Sequence, residues 1–208
     1  MEKDREVRDL APIIGLAGGL GSGKSAAAKI LRDLGCAVSD SDEAARAALR
    51  DPDILAELIS WWGRDILDKE GGIDRSKVAG IVFADANERK RLEMLTHPWI
   101  EKRRKAYFAS VGLEARALVI DAPLLFEAGV DSVCDAVIFV DTMPEMRLRR
   151  VREARGWDEA MLRQREDSQL PLDEKRNRAD YVVSNNDDLD GLRNQLNQIL
   201  DRIAPPAV

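Results

Sequence analysis

Five short apolar runs punctuate the chain, at about 13–17, 36–40, 116–121, 135–141 and 179–186, and each reads as a strand. Between the first two, Ala26, Ala27, Ile30, Leu31 and Leu34 fall on one side of a helix over about 24–34, which Gly35 suits as a stop. Strand, helix, strand in that order predicts a right-handed parallel crossover, and in such a sheet the strands end on one edge. From 43 to about 113 the pattern changes. Helical periodicity recurs over 43–50, 53–62, 76–83, 85–95 and 98–111, broken at Asp51-Pro52 and Gly71-Gly72, with no convincing long strand. This stretch is too large for a crossover helix, so it is expected to form a helical subdomain over a second substrate. After the fourth strand Pro144 opens a helix. Two helices joined near Gly156 and a third after Pro171 then predict a hairpin flap, and a helix over 188–203 closes the fold.

Composition narrows the class. A chain of 208 residues, 45% hydrophobic and 34% charged, is expected to fold as one large domain or one domain with insertions. No run approaches the roughly 20 apolar residues of a membrane span. The charged start, MEKDREVRDLAP, lacks an apolar signal core, so a cytoplasmic protein is expected, with 1–11 as a lightly packed extension. The net charge of −6 argues against sequence-independent nucleic-acid binding, which needs a broad basic face. It does not argue against a phosphate ligand, because salt screens distant carboxylates beyond about 8 Å and local cations decide. Cys36 and Cys134 read as ordinary buried thiols, and Trp61 and Trp62 as core.

The candidate chemistry starts in the first strand–helix junction. Gly18, four residues, Gly23, Lys24 and Ser25 fit G-x-x-x-x-G-K-[ST] between a strand and a helix. Glycines let main-chain N–H groups converge on one point, and the following helix adds its unpaired N–H groups and the positive end of its dipole. Lys24 supplies a charge for the outer phosphates, and Ser25 a hydroxyl for Mg²⁺. Asp40 ends the second strand on the same edge, where it is expected to orient an acceptor hydroxyl; Asp42 is expected to cap the next helix. Asp121 ends the third strand in the manner of an indirect Mg²⁺ ligand, and Glu127 is a lesser candidate for that edge. The flap is rich in arginine, which a phosphoryl donor requires over its transferring group. Asn185 or Asn186 ends the fifth strand, where an adenine edge and a simple turn are equal alternatives.

In order and spacing these motifs resemble the dephospho-CoA kinase family over about 13–202: AGGLGSGKS (17–25), VSDSD (38–42), LTHP (95–98), APLLFE (122–127), EDSQLPLDEK (166–175) and RADYVVSNN (178–186). The resemblance implies an α/β P-loop kinase fold, with a five-stranded parallel sheet flanked by helices. Its core would be 13–42, 115–146 and 179–203, its helical acceptor-binding insertion 43–114 and its arginine-rich lid 147–178. It implies transfer of the ATP γ-phosphoryl group, with Mg²⁺, to the ribose 3′-hydroxyl of dephospho-CoA. By position, Gly21, Ser22, Gly23, Lys24, Ser25 and Ala26 would hold ATP, Asp40 would contact the acceptor hydroxyl, and Arg150 would face the phosphates. Arg165 and Gln169 match the flap's R-x-x-x-Q pattern, and His97 would lie in the acceptor region. The chain departs from the pattern at Ala26, where threonine is usual, at Ser39 and Ser41, and at Ala154, where a second flap arginine is expected. The partners implied are two small molecules, with the protein a monomer or weak homo-oligomer. The competing readings are a P-loop kinase of a nucleoside monophosphate or other small metabolite, and a nucleotide sensor or GTPase-like switch. The chain has no N-K-x-D guanine motif, which weighs against the switch.

Overall fold

The structure, a computed structural model, describes residues 11–111 and 114–205, so most of the extension read over 1–11 lies outside the described residues. Five strands, β1 (Ile13–Gly18), β2 (Ala37–Asp40), β3 (Leu118–Asp121), β4 (Ala136–Asp141) and β5 (Tyr181–Ser184), form one parallel sheet in the order β2-β3-β1-β4-β5. The chain winds to one side of β1 for β2 and β3, and to the other for β4 and β5. The end of β1 therefore lies where the winding reverses, which is where open parallel sheets bind ligands. Register brings three residues side by side at that edge: Leu16 pairs with Asp121, and Asp121 with Asp40.

The described chain divides into two compact units. One runs to Asp40 and resumes at Ser110; the other is Ser41–Ala109. The first unit holds the sheet with α1 (Lys24–Asp33), α6 (Pro144–Arg155), α7 (Glu159–Glu166), α8 (Leu172–Arg178) and α9 (Leu189–Ile203). Its core joins Ile14, Leu16, Val119, Ile138, Val140 and Val183 of the sheet to Ala27 and Leu31 of α1 and Leu192 and Leu196 of α9. These apolar faces recur at helical spacing, which is why the periodicity of 24–34 and 188–203 locates both helices.

Cys36 is buried beside this core, and loss of solvent pushes its thiol up from 9.0 to about 11. Cys134 is half-buried rather than buried, with its Sγ 3.5 Å from the Val130 carbonyl. At pH 8 the native protein should alkylate at Cys134 well before Cys36, which peptide mass spectrometry would show. Because the folded thiol stays neutral while an unfolded one ionises, stability that Cys36 contributes below pH 9 should fall between pH 9 and about 11.

Lys175 on α8 is only 1% exposed. Its ammonium forms an ion pair with Glu127 Oε1 at 2.7 Å and donates to Gln169 Oε1 at 3.0 Å and the Pro123 carbonyl at 3.5 Å. Glu127 also accepts from the Leu170 N–H at 3.0 Å. This cluster bolts the α7–α8 link to the segment after β3. Lys175→Met would remove the cation from Glu127 and leave the Gln169 and Pro123 oxygens without their donor, and we expect a loss of about 1–3 kcal/mol, read by urea unfolding.

The second unit holds α2 (Ser41–Ala48), α3 (Pro52–Trp62), α4 (Arg75–Ala84) and all but the last two residues of α5 (Ala86–Val111). Ala48, Ile54, Leu58, Ile66 and Val78 form its core, against which Trp61, Trp62, Leu92, Leu95, Trp99 and Ile100 pack. Asp51 caps α3 through the N–H groups of Asp53 and Ile54, and its other oxygen accepts from the Trp99 indole at 2.8 Å. That indole N–H is the main reason the Asp51 carboxyl is held below its ordinary value. Asp42 stands inside the first turn of α2 and complements the helix dipole, rather than standing ahead of the helix as its cap. The two helices expected over 85–95 and 98–111 are one, and α5 runs through Pro98. Proline removes a helical hydrogen bond, but Leu92 and Leu95 before it and Trp99 and Ile100 after it bury against the same core, which holds both halves in line.

Candidate active site

The loop between β1 and α1 is fixed by two left-handed glycines, Gly21 at φ 75° and Gly23 at φ 83°. A side chain at Gly23 would also collide with the Asn185 amide, since its Cβ would fall 2.1 Å from Nδ2. Gly23 caps α1 with no side-chain hydrogen bond, so the first turn's N–H groups take no partner from the cap's side chain. Ser22 closes the loop on itself through its N–H to the Gly19 carbonyl at 3.1 Å.

The loop carbonyls are held from outside. Ser22 O accepts from Asn185 Nδ2 at 2.7 Å, Thr142 Oγ1 at 2.9 Å and Arg150 Nη1 at 3.3 Å. Arg150 also reaches Gly21 O at 3.5 Å and Asn185 O at 3.0 Å. A peptide's carbonyl and N–H point opposite ways, and no peptide here is cis, so a carbonyl drawn outward turns the next residue's N–H inward. The arrangement converts donors behind the loop into an amide nest in front of it, suited to an anion.

Lys24 opens α1 and forms an ion pair with Asp121 at the end of β3; their side chains are 15% and 7% exposed. An ammonium carries three protons, so Lys24 can keep Asp121 and still donate to a phosphate. Ser25 is exposed and Ala26 half-buried in the first turn of the same helix. Asp40 is half-buried at the end of β2, in register beside Asp121. The P-loop residues, Lys24, Ser25, Ala26, Asp40, Asp121, Arg150 and Asn185 thus gather in one unit on one sheet edge.

Three candidates stand elsewhere. Arg165 is exposed on α7 with its guanidinium 4.4 Å from the Trp157 ring, whose ring Arg155 also approaches at 4.7 Å. Gln169 gives its carbonyl to Lys175. His97 is exposed on α5, in the second unit. Asn185, 3% exposed, donates its amide to the Ser22 carbonyl, and Asn186 accepts from the Met143 N–H at 2.8 Å. Thr142 and Arg147 were not singled out from the sequence. Thr142 directly follows the polar end of β4, and Arg147 lies three residues before Arg150 on one helix face, which were the available signals.

Residues 12–191 match the family described as Dephospho-CoA kinase. The chain belongs to that family. The dephospho-CoA kinase of Syntrophotalea carbinolica is 40% identical over 195 residues, covering 93% of this chain and 92% of the relative. Among solved structures, a Thermus thermophilus protein superposes with a TM-score of 0.83 at 32% identity, over 93% of this chain and 98% of that one. The dephospho-CoA kinase of Campylobacter jejuni does so with a TM-score of 0.61 at 25% identity, over 93% and 98%. The parallel sheet with its nucleotide-type loop is accordingly a P-loop kinase fold, and the chain is a kinase.

Proposed function

We propose that this chain transfers the γ-phosphoryl group of ATP to the ribose 3′-hydroxyl of dephospho-CoA, giving coenzyme A and ADP, the last step of CoA biosynthesis. The observation that carries the reading is the sheet edge itself: Lys24 at an amide nest, paired with Asp121, with Asp40 on the adjacent strand. Gly21, Ser22, Gly23 and the first turn of α1 bind the phosphates. Lys24 and Arg150 supply positive charge where negative charge develops. Asp40 orients the acceptor hydroxyl and takes its proton late in the transfer. The remaining rate enhancement is positional: the two reactants are held in line and water is kept from competing as acceptor.

Ser25 and Asp121 are the residues we assign to Mg²⁺. Their donor set is oxygen only, which suits a hard cation, and among the described residues no group of three or more His, Cys, Asp or Glu side chains could form a cage. Such a site fits an ion that keeps several waters and takes phosphate oxygens. When bound, Mg²⁺ shields the β- and γ-phosphate charge. On the acceptor side we assign Arg165 and His97 as candidates, and Gln169 through its hold on Lys175. The helical unit, Ser41–Ala109, is the candidate acceptor-binding part and α6–α8 the lid.

We place the enzyme in the cytoplasm, acting on two small molecules as a monomer or weak homo-oligomer. Among the described residues no helix is long and apolar enough to cross a membrane. The test is the position of the new phosphate. Proton–phosphorus correlation NMR on the product should couple it to the ribose 3′ proton; coupling to any other position would refute the acceptor assignment.

A further inference from the structure

Arg147 lies on α6 and is 8% exposed, in a position no phosphate motif predicts. Its Nη1 donates to the Leu20 carbonyl at 3.4 Å and also to Glu166 of α7, in an ion pair whose side chains are 10% and 22% exposed. The residue touches the loop at its other end too. A Cβ on Gly21 would fall 2.6 Å from the Arg147 carbonyl oxygen, and one on Gly19 would fall 3.2 Å from Nη1. The peptide that Arg147 holds by its oxygen is Leu20–Gly21, whose N–H faces the opposite way. With the three donors on Ser22 O, two of the nest's peptides are set from behind by side chains of α6, of Thr142 before it and of Asn185 after β5.

We infer that Arg147, gripped by Glu166, is a positioning residue for the phosphate loop and ties the lid helix α7 to the hold on the nucleotide. One guanidinium nitrogen serves both acceptors. Nη1 is carried at the end of a planar group one bond beyond the reach of a lysine Nζ; a lysine, shorter and with its charge on a flexible stem, does not hold both acceptors in that geometry. Arg165, the lid candidate, immediately precedes Glu166 on α7, so a shift of α7 that moves Arg165 also pulls on Arg147 and thus on the Leu20–Gly21 peptide. Lid position and nucleotide grip are then one coupled variable.

The inference rests on the nucleotide half of the proposed function and not on the acceptor. ADP binding by calorimetry on the full chain tests it, with thermal unfolding recorded in parallel. Arg147→Lys and Arg147→Met should each weaken ADP about tenfold, as expected when a charge-assisted hydrogen bond that fixes a ligand amide is lost. Glu166→Gln should weaken ADP severalfold in the wild-type background and add nothing in the Arg147→Met background. ADP binding at the wild-type level in Arg147→Lys would reduce the residue to a nearby charge. A lower unfolding temperature with unchanged ADP affinity would reduce it to packing, and additive effects of the two substitutions would sever the coupling; each overturns the inference. If Arg147→Met does not fold, Arg147→Lys and Glu166→Gln decide by the same readings. A wild-type chain that binds ADP but leaves dephospho-CoA unphosphorylated would refute the acceptor assignment and leave this inference standing.

Discussion

Lys24→Met is expected to lower turnover by about 10³-fold or more and to destabilise the protein as well. The first effect follows from removing the cation that faces the transferring group. The second follows from Asp121, whose side chain is 7% exposed and would lose its ion-pair partner. Removing one member of a buried pair costs about 3–5 kcal/mol, because the remaining charge loses the ionic attraction that offset its burial. Adding Asp121→Asn to Lys24→Met should therefore restore much of the stability and none of the turnover. Steady-state ADP release and urea unfolding on the single and double variants separate the two effects. If the double variant unfolds as easily as the single, the Lys24–Asp121 pair is not what holds that edge.

Asp40→Asn should lower kcat by about 10²–10⁴-fold while leaving ATP affinity within about twofold, since a positioned base acts on the acceptor proton and not on the donor's phosphates. Asparagine keeps the size and one acceptor oxygen, so the fold should be unaffected. Single-turnover kinetics with ATP binding measured separately would read this. Near-normal turnover in Asp40→Asn would remove the acceptor-side role and leave Asp40 as a strand-end carboxylate beside Asp121.

The sheet was legible because each strand is a short apolar run, four of the five ended by a polar residue, and the loop because glycine and lysine spacing has few other physical uses. Asp40 and Asp121 could be placed on one edge from topology alone, but their side-by-side register depends on β3 pairing between β1 and β2, which no local pattern encodes. Asp42 and Pro98 show the limits of local rules. Asp42 shares its preference for a cap with a preference for the first turn. Pro98 breaks a helix in isolation but not one fastened to a core on both sides. The sequence marks Arg150 and Asn185 as candidates but not the brace they form behind the loop. Arg147, Arg150, Thr142 and Asn185 converge on Leu20, Gly21 and Ser22 from more than a hundred residues away, a convergence that no local pattern encodes. Glu127, Gln169 and Lys175 were visible as members of two motifs, but that Lys175 is buried and joins the other two is a product of the fold.

The acceptor is the central claim, and coupled ADP release with a panel of acceptors tests it most directly. With MgATP and dephospho-CoA the chain should release one ADP for each coenzyme A formed, and with nucleoside monophosphates or no acceptor it should release ADP only at background rate. Turnover on a nucleoside monophosphate with none on dephospho-CoA would contradict the account.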